Sequence, residues 1–178
     1  MHYQEVLDFW FNEIDPDFWF QNDGEIDRLI ETKFKDIHQQ ATKGELWAWR
    51  DTIEGRLAEI ILLDQFSRNI YRGEATAFSN DTLALALAQE AIRTGEVNHL
   101  TTFERSFLYM PYMHSESLKI HEVAMELFQE EGMEGNLEFE IEHKEIIEKF
   151  GRYPYRNEVL GRKSTIEEKK FLETHSGF

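Results

Sequence analysis

"GEIDRLIETKFKDIHQQATKG", residues 24–44, decides how the rest of the chain is read. Ile26, Leu29, Ile30, Phe34, Ile37 and Ala41 follow at steps of three and four, the spacing that aligns side chains on one face of an α-helix, and Gly44 stands after them as a stop. The same period recurs along the chain, while no stretch alternates polar and apolar residues over the length a half-buried strand needs. The spacing therefore predicts an all-α fold.

Working outward, "YQEVLDFWFNE" reads as a short helix ending near "DPD", where Pro16 turns Asp15 out of the α region, and "LWAWR" as one or two turns. "DTIEGRLAEIILLDQFSRNIYRG" opens with Asp51 and Glu54 at capping-box spacing and closes on Gly73. Its centre is apolar nearly all round, which assigns it to the middle of a bundle. "NDTLALALAQEAIRTG" runs from an N-cap at Asn80 or Asp81 to Gly95, and "LTTFERSFLYM" is a helix broken where Pro111 restricts Met110. "SLKIHEVAMELFQEEG", "LEFEIEHKEIIEKFG" and "STIEEKKFL" follow, the last with Ser164 and Glu167 as a capping box. About seven to nine helices with short turns make one all-α domain over residues 1–178.

The chain carries 35 acidic and 19 basic residues, a formal charge of −16, which repels nucleic-acid backbones and anionic lipid surfaces. No nucleic-acid or membrane partner is expected, and any anion must be caught locally. There is no cysteine, so thiolate chemistry and disulfides are excluded, in keeping with a reducing compartment. "MHYQEVLDFWFNE" lacks a basic segment followed by an apolar one, and the longest aliphatic run is "IILL"; a cytoplasmic protein is expected.

The chemistry concentrates in "HKEIIEKFGRYPYRNEVLGR", residues 143–162. His143 falls on a stripe of Phe139, Ile146, Ile147 and Phe150 and is expected to face inward, where a histidine is more often a satisfied core residue than an acid or base. Gly151 caps that helix and Pro154 stiffens the turn after it, aiming Arg152 and Arg156 with Tyr153 and Tyr155. Two planar guanidinium groups in fixed geometry suit a carboxylate or phosphate, unless they pair with the surplus acids of the chain itself.

Two further clusters carry polar groups on apolar helices. Asp64 and Arg68 share a helix face, with Gln65, Asn69 and Arg72 beside it, and buried charges there require partners. In "PYMHSESLK", His114 and Glu116 sit at a helix start where Ser115 is a plausible N-cap. No H-E-x-x-H spacing is present, so no metal and no cofactor are expected; no G-x-S-x-G elbow is present either. The three clusters are expected to converge.

"LLDQFSRNIYRGEATAF", "FERSFLYMPYMHSE" and "HKEIIEKFGRYPYRNEVLGRKSTIEEKKFL", with "GRLAEIILLDQF" and "VLDFWF", resemble the bacterial domain-of-unknown-function 924 family along nearly the whole chain. The resemblance implies a tetratricopeptide-like stack of antiparallel helices in a cytoplasmic protein, without an established activity. No recurrence of the tetratricopeptide pattern is visible in the residues themselves. The polar residues matching the family motifs are Asp64, Gln65, Arg68, Asn69, Arg72, His114, Glu116, His143, Arg152, Arg156, Asn157 and Arg162. Ser67 and Tyr155 stand where the resembled pattern has proline and histidine. A proton-transfer or metal-binding role of that histidine would be lost here, whereas tyrosine would serve in packing.

Three functions are weighed on these residues. A binding module would receive a small anionic molecule or a peptide carboxylate at the arginine loop. An enzyme would add His143 or His114 as acid or base with Arg152 and Arg156 as a clamp. A structural network would neutralise the arginines with acids such as Asp64 and Glu116. No catalytic residue and no oligomeric state are assigned.

Overall fold

A computed structural model of the chain describes residues 1–177. Those residues form helices and turns without a strand: α1 (Tyr3–Asp8), α2 (Gly24–Thr42), α3 (Ile53–Ile61), α4 (Ser67–Ile70), α5 (Asp81–Arg93), α6 (Thr102–Met113), α7 (Leu118–Leu127), α8 (Glu134–Phe150) and α9 (Ile166–Leu172). Two π-helical turns interrupt the pattern, Phe9–Glu13 after α1 and Leu62–Phe66 between α3 and α4. None of the described helices is long and apolar enough to cross a membrane.

The α3 segment is central because, Glu59 apart, its run from Leu57 to Leu63 is wholly apolar. Leu57, Ala58, Ile60, Ile61, Leu62, Leu63 and Phe66 are all fully buried, and α1, α5 and α6 pack against α3. An aromatic group fills the space between helices: the Trp10 ring meets Phe66 at 5.4 Å and Phe107 at 5.7 Å, both edge to face, the arrangement aromatic quadrupoles favour. Gly55 allows the 3₁₀ turn Trp47–Asp51 to lie on α3, since a Cβ there would come within 2.0 Å of the Trp49 carbonyl oxygen. That turn delivers Arg50 to the fully buried Glu59, with two hydrogen bonds of 2.7 Å. A smaller cluster of Ile146, Ile147 and Tyr153, with Phe150, Tyr155 and Phe171 against it, joins α8, the following loop and α9.

Several local expectations are corrected. Thr52, not Asp51, caps α3, accepting from the Gly55 amide. Pro111 lies inside α6 rather than ending it; close to the C-terminus of the helix its missing N–H releases one carbonyl, and α6 continues to Met113. Ser117 rather than Ser115 is the N-cap of α7, and Ser115 Oγ instead accepts from the Ser117 amide. The last capping box is Thr165 with Glu168, one residue beyond the expected pair, because Glu168 is drawn inward by an arginine described below. On α2 Leu29 is exposed, and His38 takes a buried position.

His38 joins α2 to α4, its Nε2 lying 2.7 Å from the hydroxyl of Ser67. Burial holds its pKa down at about 4. The unfolded chain titrates this ring near the ordinary value of about 6.5, so it binds a proton that the folded protein refuses. The corresponding stability is present above pH 6.5 and is lost as the pH falls toward 4. Chemical denaturation at pH 7 and pH 5 is expected to show His38→Gln losing roughly 1–2 kcal/mol less on acidification than the parent protein. Equal losses in both proteins contradict this account of His38.

Candidate functional site

The π-helical turn Leu62–Phe66 adds a residue to its turn, and such turns recur at functional sites. Here it carries Asp64 and Gln65. Asp64 is 1% exposed, yet its carboxylate accepts from His114 Nδ1 at 2.6 Å, Gln65 Nε2 at 2.9 Å and Arg68 Nη1 at 3.1 Å. Burial pushes its pKa up, but the hydrogen bonds from His114 and Gln65 with the charge of Arg68 outweigh burial and keep it below the usual carboxylate range. Arg68 also grips Asp81, the first residue of α5, through both terminal nitrogens at 2.8 and 3.0 Å. Arg72 and Asn69 turn the other way, onto Asp27 of α2.

The loop after α8 supplies the next wall. Gly151 ends the helix at φ +70°, and Pro154 begins a 3₁₀ turn that carries Arg156 inward. Arg156 is 6% exposed. Its guanidinium lies between the rings of Phe78 and Tyr153, 4.6 Å from each centroid, and its Nη2 donates to the His114 carbonyl at 3.1 Å. The carboxylate of Asp81 is 3.5 Å away and already held by Arg68. Nε of Arg156 has no hydrogen-bond partner among the described residues. Burial and the neighbouring Arg68 both lower its pKa.

These groups frame a cavity of about 730 Å³. Gln65, Arg68, Asn69, Arg72, His114, His143 and Arg156 all line it, so residues from each of the three sequence clusters do meet. Its lining also includes an apolar group of Trp19, Phe20, Phe103, Phe107, Met110 and Phe139. Tyr155 also lines it, its ring stacked on Tyr153 at 5.5 Å. Burial raises the Tyr155 pKa, so the phenol is neutral at physiological pH. His143 is 5% exposed, Nδ1 donates to the Phe139 carbonyl, and burial lowers its pKa to about 3, which keeps the imidazole neutral. A second cavity of about 560 Å³ shares Phe78, His114 and Arg156 with the first.

The remaining candidates lie elsewhere. Glu116 accepts from Arg162 at 2.7 and 2.9 Å and from the Tyr153 amide at 2.8 Å. Arg152 is bound to Glu168 at 2.7 and 2.9 Å and to the Lys163 carbonyl, and Asn157 bridges Glu168 and Arg162. Arg152 therefore does not join Arg156 as a two-point clamp: the chain's own Glu168 occupies it and holds α9 to the loop. The arginine of Glu168 pulls that carboxyl down to about 2.

Sequence reading missed Asp27, Asp81, Phe78 and Glu168. Asp81 was legible as a helix start, and Glu168 by its capping-box spacing to Thr165; nothing local pairs either with an arginine. Phe139, assigned to the inner stripe, is exposed toward the cavity, whereas Glu140 is buried and sits 2.6 Å from His121 Nδ1. His121 Nε2 faces two acceptors, the Ser115 carbonyl and the Tyr153 oxygen, whose own proton goes to the Met113 carbonyl, so Nε2 carries hydrogen. Among the described residues no group of three or more His, Cys, Asp or Glu side chains is arranged around a metal position.

A family model described as a bacterial protein of unknown function, DUF924, matches residues 6–176. A solved structure titled as a protein of unknown function, ATU0120, from Agrobacterium tumefaciens is similar at 38% identity and a TM-score of 0.91, covering 96% of each chain. No curated protein matches.

The division between cavity and clamp is testable by stability. Removing the half-buried Glu116 carboxylate in Glu116→Ala leaves Arg162 and the Tyr153 amide without their acceptor, and denaturant unfolding is expected to show a loss of about 2 kcal/mol. Arg152→Lys is expected to lower the melting temperature as well, since lysine cannot reproduce the fork on Glu168. Unchanged stability in both variants contradicts the clamp.

Proposed function

The chain belongs to the DUF924 family of bacterial proteins, and we propose that its large cavity binds a small molecule composed of an apolar body and a carboxylate. The observation that carries this reading is Arg156. A buried guanidinium ordinarily has a close carboxylate partner, because a buried charge without one costs several kcal/mol. Of the three arginines lining the cavity, Arg68 and Arg72 have short bidentate partners in Asp81 and Asp27, while the terminal nitrogens of Arg156 have Asp81 at 3.5 Å and the neutral carbonyl of His114 at 3.1 Å. An anionic ligand would supply the acceptor that the protein does not.

The apolar wall supports the second half of the reading. Phe20, Phe103 and Phe139 are 63%, 55% and 54% exposed, and all three line the cavity. Exposed aromatic side chains gathered around one cavity, rather than scattered, mark a ligand surface. Inorganic phosphate alone would leave them uncovered.

Calorimetric titration with 3-phenylpropionate, octanoate and inorganic phosphate tests this. Both organic acids are expected to bind and phosphate to bind more weakly. Arg156→Gln is expected to weaken the acids roughly 10- to 100-fold, the loss of a charge-assisted hydrogen bond of about 1.5–3 kcal/mol, in a protein whose melting shows it folded. Absence of organic-acid binding at millimolar concentration overturns the reading.

A further inference from the structure

We propose that His114 is a general base in this cavity, drawing the proton from a water molecule that hydrolyses an acyl bond of the bound carboxylate-bearing molecule. The proposal rests on the binding reading above and adds a chemical step to it.

The orientation of the imidazole is fixed from behind. Asp64 Oδ1 lies 2.6 Å from Nδ1, and the carboxylate can only accept, so Nδ1 carries the hydrogen and Nε2 the lone pair. Gln65 and Arg68 hold Asp64 ionised, so it does not compete for the proton. Among the described residues Nε2 has no hydrogen-bond partner and is not a buried unpartnered atom, and the side chain is 16% exposed, so it reaches open space. The comparison with His121 is informative: that ring is fully buried with both nitrogens engaged, an arrangement suited to structure.

The surroundings keep His114 basic yet unprotonated. Asp64 and Arg68 face it from the π turn and α4, Asp81 from α5, Arg156 from the loop after α8, and His143 from α8. Burial and Arg68 lower its pKa further than Asp64 and Asp81 raise it, so the ring is neutral above the ordinary histidine range. His114 and Arg156 belong to the walls of both cavities, which leaves space on two sides of the base for the two parts of a molecule to be divided.

Among the described residues no side-chain hydroxyl is bonded to Nε2, so water is taken as the nucleophile. Nε2 takes one water proton as the oxygen bonds to the acyl carbon; the negative charge on the carbonyl oxygen develops on the side of Arg68, the cation beside His114, while Arg156 keeps the carboxylate of the bound molecule. When the carbon–heteroatom bond breaks, its electron pair leaves with the heteroatom, and His114 returns the proton to it. A carboxylic acid and an alcohol or amine result, with water as the sole co-reactant. Asp64 acts as a positioning residue.

The test is hydrolysis of mono-4-nitrophenyl suberate, beside its methyl ester, which lacks the carboxylate. The parent protein is expected to release nitrophenolate above the buffer rate, with the free acid preferred over the methyl ester. Its kcat/KM is expected to fall on the acid side with an inflection below pH 6.5. His114→Gln is expected to lower kcat/KM at least 100-fold while 3-phenylpropionate still binds by calorimetry. Asp64→Asn, which removes the charge that raises the His114 pKa, is expected to move the acid limb to lower pH as well as slow the reaction, a shift that a role in packing alone does not produce. Binding of 3-phenylpropionate with no hydrolysis beyond that of His114→Gln overturns this inference and leaves the binding reading standing. Failure of both measurements overturns both.

Discussion

A buried carboxylate with several donors organises this molecule around itself. Asp64 lies in the π turn Leu62–Phe66 among the fully buried Leu62, Leu63 and Phe66, where an ionised group without partners would cost several kcal/mol. The π turn sets it where α4 and α6 can both reach it: Arg68 comes from one turn later in its own segment, His114 from the end of α6. Arg68 then requires Asp81, which fixes the start of α5, and Asp81 stands within 3.5 Å of Arg156 from the far loop. One buried charge thus ties four segments together, and the cavity lies beside them.

The arginines of the chain divide between two tasks. Arg152 meets Glu168 through Nε and Nη2, and Arg162 meets Glu116 through both terminal nitrogens; together they fasten the loop after α8 to α9 and the start of α7. Arg156, four residues from Arg152, is turned between Phe78 and Tyr153 toward the cavity. The rigid turn at Gly151 and Pro154 presents both, on opposite sides of the loop. A strongly acidic protein thereby keeps a cationic group at its cavity while neutralising those around it.

The helices were legible because burial of one face imposes a period that short segments already display, and the convergence of the three polar clusters followed from the need of inward charges for partners. What stayed illegible was partner choice. Glu168, Asp81 and Asp27 are three of 35 acids, and nothing within a few residues of each says which arginine it meets; that is decided by helix packing. The phase of α8 failed for a related reason. Apolar count favours Phe139 on the inner face, but His121 draws Glu140 inward, and the cavity leaves Phe139 open. Ser67 has a comparable explanation: where the resembled pattern has proline, its hydroxyl meets the buried His38.

The central claim is that Arg156 is held ready for an acceptor brought by a ligand. A crystal structure of the protein soaked with 3-phenylpropionate tests it most directly. The account requires the carboxylate within hydrogen-bonding distance of the Arg156 guanidinium and the phenyl ring against Trp19 and Phe107. An acid bound elsewhere on the surface, with Arg156 drawn into a short pair with Asp81 in its absence from the cavity, contradicts the account.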